Sequence, residues 1–350
     1  MVEALSSLEN YLAEAVKSRI ETIPEPSTDS VARLAILFSG GLDCICLAAL
    51  ADRFLPPGEP CDLLNVAFEN PRIEKNRSNI AIQPKGKKKT RSKSTPTTPE
   101  ESTPPAMPTQ PKRSTYDVPD RLTGRMGVAE LKELFPERPW RFVEVDIPYK
   151  EALEARGRVL ELIKPLETVM DWSIAIAFWF AARGIGHVKY ETGQSIPYSS
   201  QVKVLFSGLG ADEQLGGYGR HRVRYNQNGW AGLIEEVQLD VDRISWRNMG
   251  RDDRIVSDHG REVRFPFLSE ALVSALNEMP IHLKVDPRYG RGIGEKLLLR
   301  QLAHKIGLGR ASKEPKRAVQ FGARTAKMES GSQTGTETVR KGSTEKRSDE

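Results

Sequence analysis

Short apolar runs separated by helix-spaced stretches set the pattern of this chain. Leu34 to Phe38 is unbroken and apolar, and Leu63 to Phe68 is nearly so. Runs of that length predict strands buried on both faces. Val202 to Phe206 predicts another. After Trp140 and Phe142, Val143, Val145 and Ile147 alternate with Glu144 and Asp146, which predicts one more strand. Helices are expected between them. Leu5, Leu8, Leu12, Ala15, Val16 and Ile20 share one helical face over 3–20. Further helices are predicted over 44–54, 116–135, 149–164, 229–249 and 268–280. The stretch 168–186 is apolar almost all round, so a buried helix ending at Gly184 or Gly186 is expected. A helix over 291–309 should close at Gly307, with Lys296 and Arg300 one turn apart on it; a solvated face is the expectation for them, and a face turned toward a bound ligand the alternative. Strands alternating with helices predict an α/β fold with a parallel sheet and right-handed crossovers.

Polar segments divide the chain. Residues 1–30 read as a packing helix and a turn-rich connector, and 31–328 as one α/β domain. Within that domain, 71–115 is rich in Lys, Ser, Thr and Pro and nearly devoid of aromatics, so it reads as a disordered insertion. Residues 329–350 read as a disordered tail. The formal charge of +5 changes meaning once located, because KGKKK, RSK and PKR all lie inside the insertion. The basic balance describes a linker more than a binding face, with a nucleic-acid-binding arm or localisation signal as the competing reading of those runs. Cys44, Cys46 and Cys61 form no disulfide framework and fit a reducing compartment. No cysteine or histidine set has metal-ligand spacing. No apolar run is long enough to cross a membrane and no secretory signal is evident, so the expected location is cytoplasmic.

Candidate chemistry gathers at two strand ends. Leu34–Phe38 stops at Ser39-Gly40-Gly41 and a helix-compatible stretch follows. Strand, glycine turn and helix make a phosphate cradle, because glycine lets the backbone approach and the helix start offers unpaired N–H groups. Asp43 beside phosphates calls for a cation between them and reads as a Mg²⁺ ligand. The strand at 202–206 ends in Ser207-Gly208, followed by Asp212 and Glu213. Asp43 and Asp212 could then share one metal across the carboxyl edge of the sheet. Gly216, Gly217 and Gly219 permit close backbone approach, and Arg220, His221 and Arg222 bring positive charge. His221 reads best as a loop-stabilising donor. The competing reading is a pair of capped turns with solvated charges.

FSGGLDC (38–44) resembles the SGGxDS loop of ATP pyrophosphatases, and SGLGADEQLGGY (207–218) resembles a segment of the asparagine synthetases. GREVRFPFL (260–268) resembles a third synthetase segment. DRLTGRMG (120–127), RNMGRDDRIVSDHGREVRFPFL (247–268), RGIGEKLLLR (291–300) and PKRAVQFGARTAKME (315–329) resemble the asparagine synthetase domain-containing protein 1 family. The resemblance implies an ATP-pyrophosphatase-type sheet elaborated by C-terminal helices. It implies a carbon–nitrogen ligase that uses ATP and Mg²⁺, activates aspartate as a β-aspartyl-adenylate and lets ammonia attack. Ser39, Gly40, Gly41, Asp43 and Cys44 match its pyrophosphate loop. Leu37, Val66, Ser207 and Gly208 match residues that frame adenosine, and Asp43 and Asp212 match its metal acids. Either Lys316 or Arg317 matches the basic residue near the transferred phosphates.

Departures from that family fall at one end of the site. Cys44 replaces a hydroxyl with a weak thiol donor. Leu209 stands where synthetases carry a Glu that handles protons, and Asn248 where they carry an Asp that helps bind aspartate. The synthetases also carry an N-terminal glutaminase whose nucleophile is a Cys after the initiator Met. Here Val2 stands there and roughly thirty residues precede the loop. Ammonia is therefore expected free, from a separate glutaminase, or by way of an N-terminal portion that this sequence lacks. A nucleotide-binding pseudoenzyme acting as an interaction or regulatory module is the alternative. Adenylation of another acceptor, such as a tRNA base, has no nucleic-acid-binding module to support it.

Overall fold

The computed structural model describes residues 1–26, 28, 31–69, 114–190, 193–325 and 337–339. The expected insertion, up to residue 113, and most of the expected tail lie outside these residues. Order resumes at Ser114, whose N–H donates to the Asp117 carboxylate at 2.8 Å.

A seven-stranded sheet forms the middle layer, ordered β5-β4-β3-β2-β1-β6-β7. Its strands are β1 (Leu34–Leu37), β2 (Cys61–Phe68), β3 (Trp140–Ile147), β4 (Ile185–Lys189), β5 (Ser195–Ser199), β6 (Val204–Phe206) and β7 (Glu262–Arg264). The pairings β3-β2-β1-β6-β7 are all parallel. The β4-β5 hairpin adds an antiparallel edge, so the sheet is mostly and not wholly parallel. Neither hairpin strand is buried along its length, which leaves no apolar run to announce it. Gly186 belongs to β4. A Cβ there would sit 2.4 Å from the Glu144 carbonyl oxygen. Strand β7 is short and half-polar and was not anticipated either.

Side chains of the central strands alternate between two helical layers, as period two requires. Leu34 and Ile36 of β1 face a core built with α1 (Val2–Glu21), α2 (Leu42–Asp52), α9 (Glu270–Glu278) and α11 (Leu297–Lys305). Here α3 (Pro119–Leu134) contributes Leu131. Ala35 and Leu37 face the other core, built with α4 (Tyr149–Leu162), α5 (Val169–Arg183) and α8 (Gly250–Ser257). The expected face of α1 is the buried one: Leu8, Leu12, Ala15, Val16 and Ile20 are all sealed. Helix α5 begins where the Thr168 hydroxyl accepts from the Asp171 N–H at 3.1 Å. It ends at Gly184, whose φ of +69° makes the left-handed cap.

Three expectations need correction. The helix expected over 229–249 is α7 (Gly219–Ile244), kinked at Asn228-Gly229 and followed by a π-helical turn, Ser245–Met249. The helix expected over 291–309 starts only at Leu297, because Gly292 and Lys296 both have left-handed backbones. The tail is not wholly without structure. Val339 is buried in the second core, and Thr338 forms an antiparallel bridge with Thr168.

Candidate active site

The chain runs β1, β2, β3 to one side of the sheet and then returns through β6 and β7 on the other. Strand order therefore reverses between β1 and β6, and open α/β sheets leave a crevice at such a point, outside the carboxyl ends of the strands. Ser39 and Ser207 follow those two strands, so both predicted loops lie at the crevice. They touch: a Cβ on Gly208 would lie 2.9 Å from Cβ of Asp43.

The first loop is shaped by α3. Gly40 has φ +76°, and a Cβ there would lie 2.3 Å from the Thr123 backbone. The Thr123 hydroxyl donates to the Ser39 carbonyl at 2.8 Å. Gly124 and Gly127 keep α3 close, since a Cβ on either would meet Phe142 at 2.8 Å or Ile45 at 3.2 Å. These contacts give DRLTGRMG a physical reason: it is the wall against which the loop folds. The Cys44 thiol donates to the Gly41 carbonyl at 3.2 Å. Burial, helped by the charge of Asp43, pushes that thiol up to about 11. Cys44 thus fastens the loop as a neutral group.

The second loop places Asp212 on α6 (Ala211–Gln214). A Cβ on Gly217 would overlap its carboxylate at 1.9 Å. Between the two loops stands Lys296, with 2 % of its surface exposed. Its ammonium lies 2.8 and 2.9 Å from the Asp43 oxygens and 2.9 Å from Oδ1 of Asp212. Lys316 pairs with Oδ2 of Asp212. Burial works against the charged form of Asp212, but Lys296 and Lys316 outweigh it and hold the carboxyl below its usual range. Burial dominates at Asp43 and raises its affinity for a proton, in part because Asp212 is a like charge nearby. Burial likewise opposes the charge on Lys296, and the two carboxylates reverse that.

This overturns the expectation of a solvated face for Lys296 and Arg300. Arg300 is also buried and donates to the carbonyls of Glu295, Ser312 and Glu314 at 2.8 to 2.9 Å. It holds the strand of chain that carries Lys316. The apolar neighbours Leu297–Leu299 show that a helix packs here, but the partners of Lys296 are distant in sequence and no local pattern foretells them. Lys316 and Arg317, the two alternatives for the basic position, both line the same cavity but have different partners. Lys316 reaches Asp212, whereas Arg317 lies 3.8 Å from Asp120.

The residues matched to the pyrophosphate loop, the adenosine frame, the metal acids, the basic position and the departures at 209 and 248 all line a single cavity of about 430 Å³, except Gly40. Gly216 and Gly217 lie outside it. Gly40 lines a smaller one of about 50 Å³ that shares Ser39, Asp43 and Lys316 with it. Leu37, Leu64, Val66, Ile174 and Phe178 make one end of the main cavity apolar. The other end holds Leu209, Glu213, Arg247 and Asn248. Asn248 donates to Glu213 at 3.0 Å, and the Tyr218 hydroxyl donates to the same oxygen at 2.5 Å. An Asp at 248 would put a second carboxylate against Glu213, so the amide is suited to its neighbour. Arg220 lines the cavity, but His221 and Arg222 do not. His221 begins α7, accepts from the Tyr218 N–H at 3.3 Å and meets Asp240 at 2.8 Å, while Arg222 donates to the Pro287 carbonyl. Asp120 was not anticipated. It lines the same cavity, and burial raises it to about 7, against the pull of Arg317 and Lys316.

The carboxylates of Asp43 and Asp212, both within hydrogen-bond distance of one ammonium, present hard oxygens suited to a divalent cation. Oδ1 of Asp212 is buried and ion-paired but has no aligned hydrogen-bond donor. No group of three or more His, Cys, Asp and Glu gathers among the described residues. A metal there would complete its shell with phosphate oxygens and water.

An asparagine synthase family model matches residues 225–336. The chain is 44% identical over 340 residues to the human asparagine synthetase domain-containing protein 1, covering 94% of this chain and 52% of that one. The mouse protein of that name is 47% identical over 301 residues, covering 86% and 47%. A Saccharomyces cerevisiae asparagine synthetase domain-containing protein is 36% identical over 347 residues, covering 97% and 56%. The chain belongs to the asparagine synthetase domain-containing protein 1 family. It spans about half the length of these curated relatives. The asparagine synthase family has the ATP-pyrophosphatase fold, which the switch-point loops of this sheet express, and its members generally bind ATP. Among the described residues no helix is long and apolar enough to cross a membrane.

Proposed function

We propose that this domain binds Mg-ATP, transfers AMP to the β-carboxylate of aspartate and passes the acyl group to ammonia. The observation that carries this reading is the pair Asp43 and Asp212 gathered around Lys296, with Lys316 beside them, at the mouth of the Ser39–Gly41 loop. Leu37 and Val66 would frame the adenine end, and Ser207 and Gly208 would close over the ribose and α-phosphate. Backbone N–H groups of the first loop would hold the β- and γ-phosphates. A substrate carboxylate oxygen attacks the α-phosphorus, the bond to the β-phosphate oxygen breaks, and pyrophosphate leaves. Lys296 and Lys316 lie where that leaving charge grows and need no reorganisation to meet it. Mg²⁺ held by Asp43 and Asp212 would neutralise further charge on the departing group. Ammonia then attacks the acyl carbon, AMP leaves, and one proton must be taken up. Leu209 gives that proton no acceptor.

A second reading follows from Leu209: a nucleotide-binding pseudoenzyme with an intact phosphate end. Pyrophosphate release from Mg-ATP separates the two, measured without aspartate, with aspartate, and with aspartate plus ammonium. Aspartate-dependent release above an Asp43→Ala control is expected, with asparagine formed in the ammonium arm. ATP binding with no release above that control would overturn the enzymatic reading in favour of the pseudoenzyme.

A further inference from the structure

The geometry points to Arg247 as the clamp for a second carboxylate on the activated substrate, which makes that substrate a dicarboxylate held through its distal acid and not through an ammonium group. The inference rests on the proposed carboxylate activation and specifies what the far end of the same cavity recognises.

Four arginines line that end: Arg220, Arg243, Arg247 and Arg251. Three are already engaged. Arg220 and Arg243 pair with Asp240, and Arg251 lies 3.2 Å from Asp171 and 2.8 Å from Asp252. Arg247 is half-buried at the cavity wall and makes no hydrogen bond or ion pair with any described residue. An unengaged guanidinium is a rigid fork of donors whose best match is a planar anion. Its position comes from the π-helical turn Ser245–Met249 between α7 and α8, which brings neighbouring residues 247 and 248 to the same cavity. Single π turns of this kind are frequent at functional sites.

The carboxylates around Arg247 offer little to a substrate ammonium. Glu213 already accepts from Tyr218, Asn248 and the Gly210 N–H. Asp240 is covered by Arg220, Arg243 and His221. Asp252 is sealed against Arg251. Leu209 carries no charge at all. An anion entering this end therefore gains a charge-assisted bidentate contact, whereas a cation meets acids that are already paired with arginines or hydrogen-bond donors, with Oδ2 of Asp252 unbonded but buried.

Calorimetric titration tests this on the whole chain with Mg²⁺ and the non-cleavable α,β-methylene analogue of ATP. Succinate, aspartate, β-alanine and butyrate are the titrants. Succinate and aspartate should bind comparably, and β-alanine and butyrate about tenfold or more weakly. Arg247→Gln should weaken succinate by tens of fold and leave β-alanine unchanged, and Arg247→Lys should recover part of the loss. Because the Arg247 guanidinium is bonded to no described residue, an unaltered thermal midpoint should accompany the change. Unchanged succinate binding in Arg247→Gln, β-alanine binding as tight as succinate, or no binding of any of the four would each overturn the clamp. Succinate bound through Arg247 without pyrophosphate release from ATP would instead overturn the activation chemistry and leave the clamp standing.

Discussion

Replacing Lys296 with Met removes the one ammonium that touches both Asp43 and Asp212, while keeping a side chain of similar length. Lys296 is almost fully sealed, so the variant leaves two neighbouring buried carboxylates with only Lys316 to balance them. Removing one partner of a buried ion pair typically costs about 3–5 kcal/mol, because the charge left behind has lost both water and its counterion. For a chain of this size that corresponds to a fall of about 4–8 °C in thermal midpoint. The left-handed backbone at residue 296, with φ +53°, stays in the variant and gives nothing back.

The pH dependence carries the sharper test. In the native protein Asp212 sits below its unfolded value, so its stabilisation is present above about pH 4 and is lost only as pH falls through the folded value. Lys296 is raised, so its contribution is complete below about pH 10 and fades only as pH rises through its folded value. Between pH 5 and 8 those two groups add no slope, whereas Asp43, already raised by burial and by Asp212, makes native stability decline as pH climbs through its folded value. In Lys296→Met the acids lose that counterion, so Asp43 rises further and Asp212 rises with it. Their protonated forms are then favoured in the fold, and stability falls more steeply than in the native chain as pH climbs across the same window. Mg²⁺ should restore more stability to the variant than to the native chain, since a divalent ion can occupy the vacated place between the acids. Urea denaturation at pH 5 and 8, with and without Mg²⁺, reads all three effects. A loss under about 1 kcal/mol with no pH dependence would show that the acids are not held by Lys296, and the reasoning would fail.

Gly40→Ala should abolish ATP binding in a fluorescent-analogue titration and lower stability by about 2 kcal/mol or more, because it combines a left-handed φ with a 2.3 Å overlap against Thr123. Asp120 is raised to about 7, so its contribution to native stability should decline as pH rises from about 4 to 7 and level off above, and Asp120→Asn should remove that share of the slope in denaturant midpoints measured across the range. Cys44, with a thiol near 11, should resist iodoacetamide at pH 7.5 in the folded chain and react at the rate of an ordinary thiol once unfolded, as mass spectrometry would read. Leu209→Glu should raise asparagine formation in an enzyme that already adenylates aspartate, and no change would show that position 209 is not where the attacking amine sheds its proton.

The layered fold was legible where burial is symmetric. Leu34–Phe38, Leu63–Phe68 and Val202–Phe206 announce central strands because both faces of those strands are covered. The β4-β5 hairpin is exposed on an edge, so Ile185 to Ser199 carries neither an apolar run nor a clean alternation. The loops at Ser39 and Ser207 were legible for a local reason, since glycine and serine after a strand are a chemical statement in themselves. Lys296 was not, because its role depends on contacts with Asp43 and Asp212 far away in sequence, and helical spacing alone put it on the surface. The same limit hid Asp120, whose raised pKa comes from being enclosed by chain that only the fold brings near.

The phosphate end and the acceptor end therefore answer different questions. A buried network of ions is weak as a stabilising device, since well-packed apolar side chains in its place are often as stable or more so. Here two acids, two lysines and a left-handed lysine backbone are concentrated at the mouth of a glycine loop that a single methyl group would block. Such an arrangement makes physical sense only if something anionic enters and uses the charges, which is why nucleotide binding stands on firmer ground than any particular product. At the acceptor end nothing comparable is built. Leu209 is inert, Asn248 is spent on Glu213, and Arg247 alone among the lining cations waits for a partner within the described residues. On the proposed carboxylate activation that end would select the substrate, so exchanging side chains at 209, 247 and 248 should redirect substrate choice while leaving the affinity for Mg-ATP as it was.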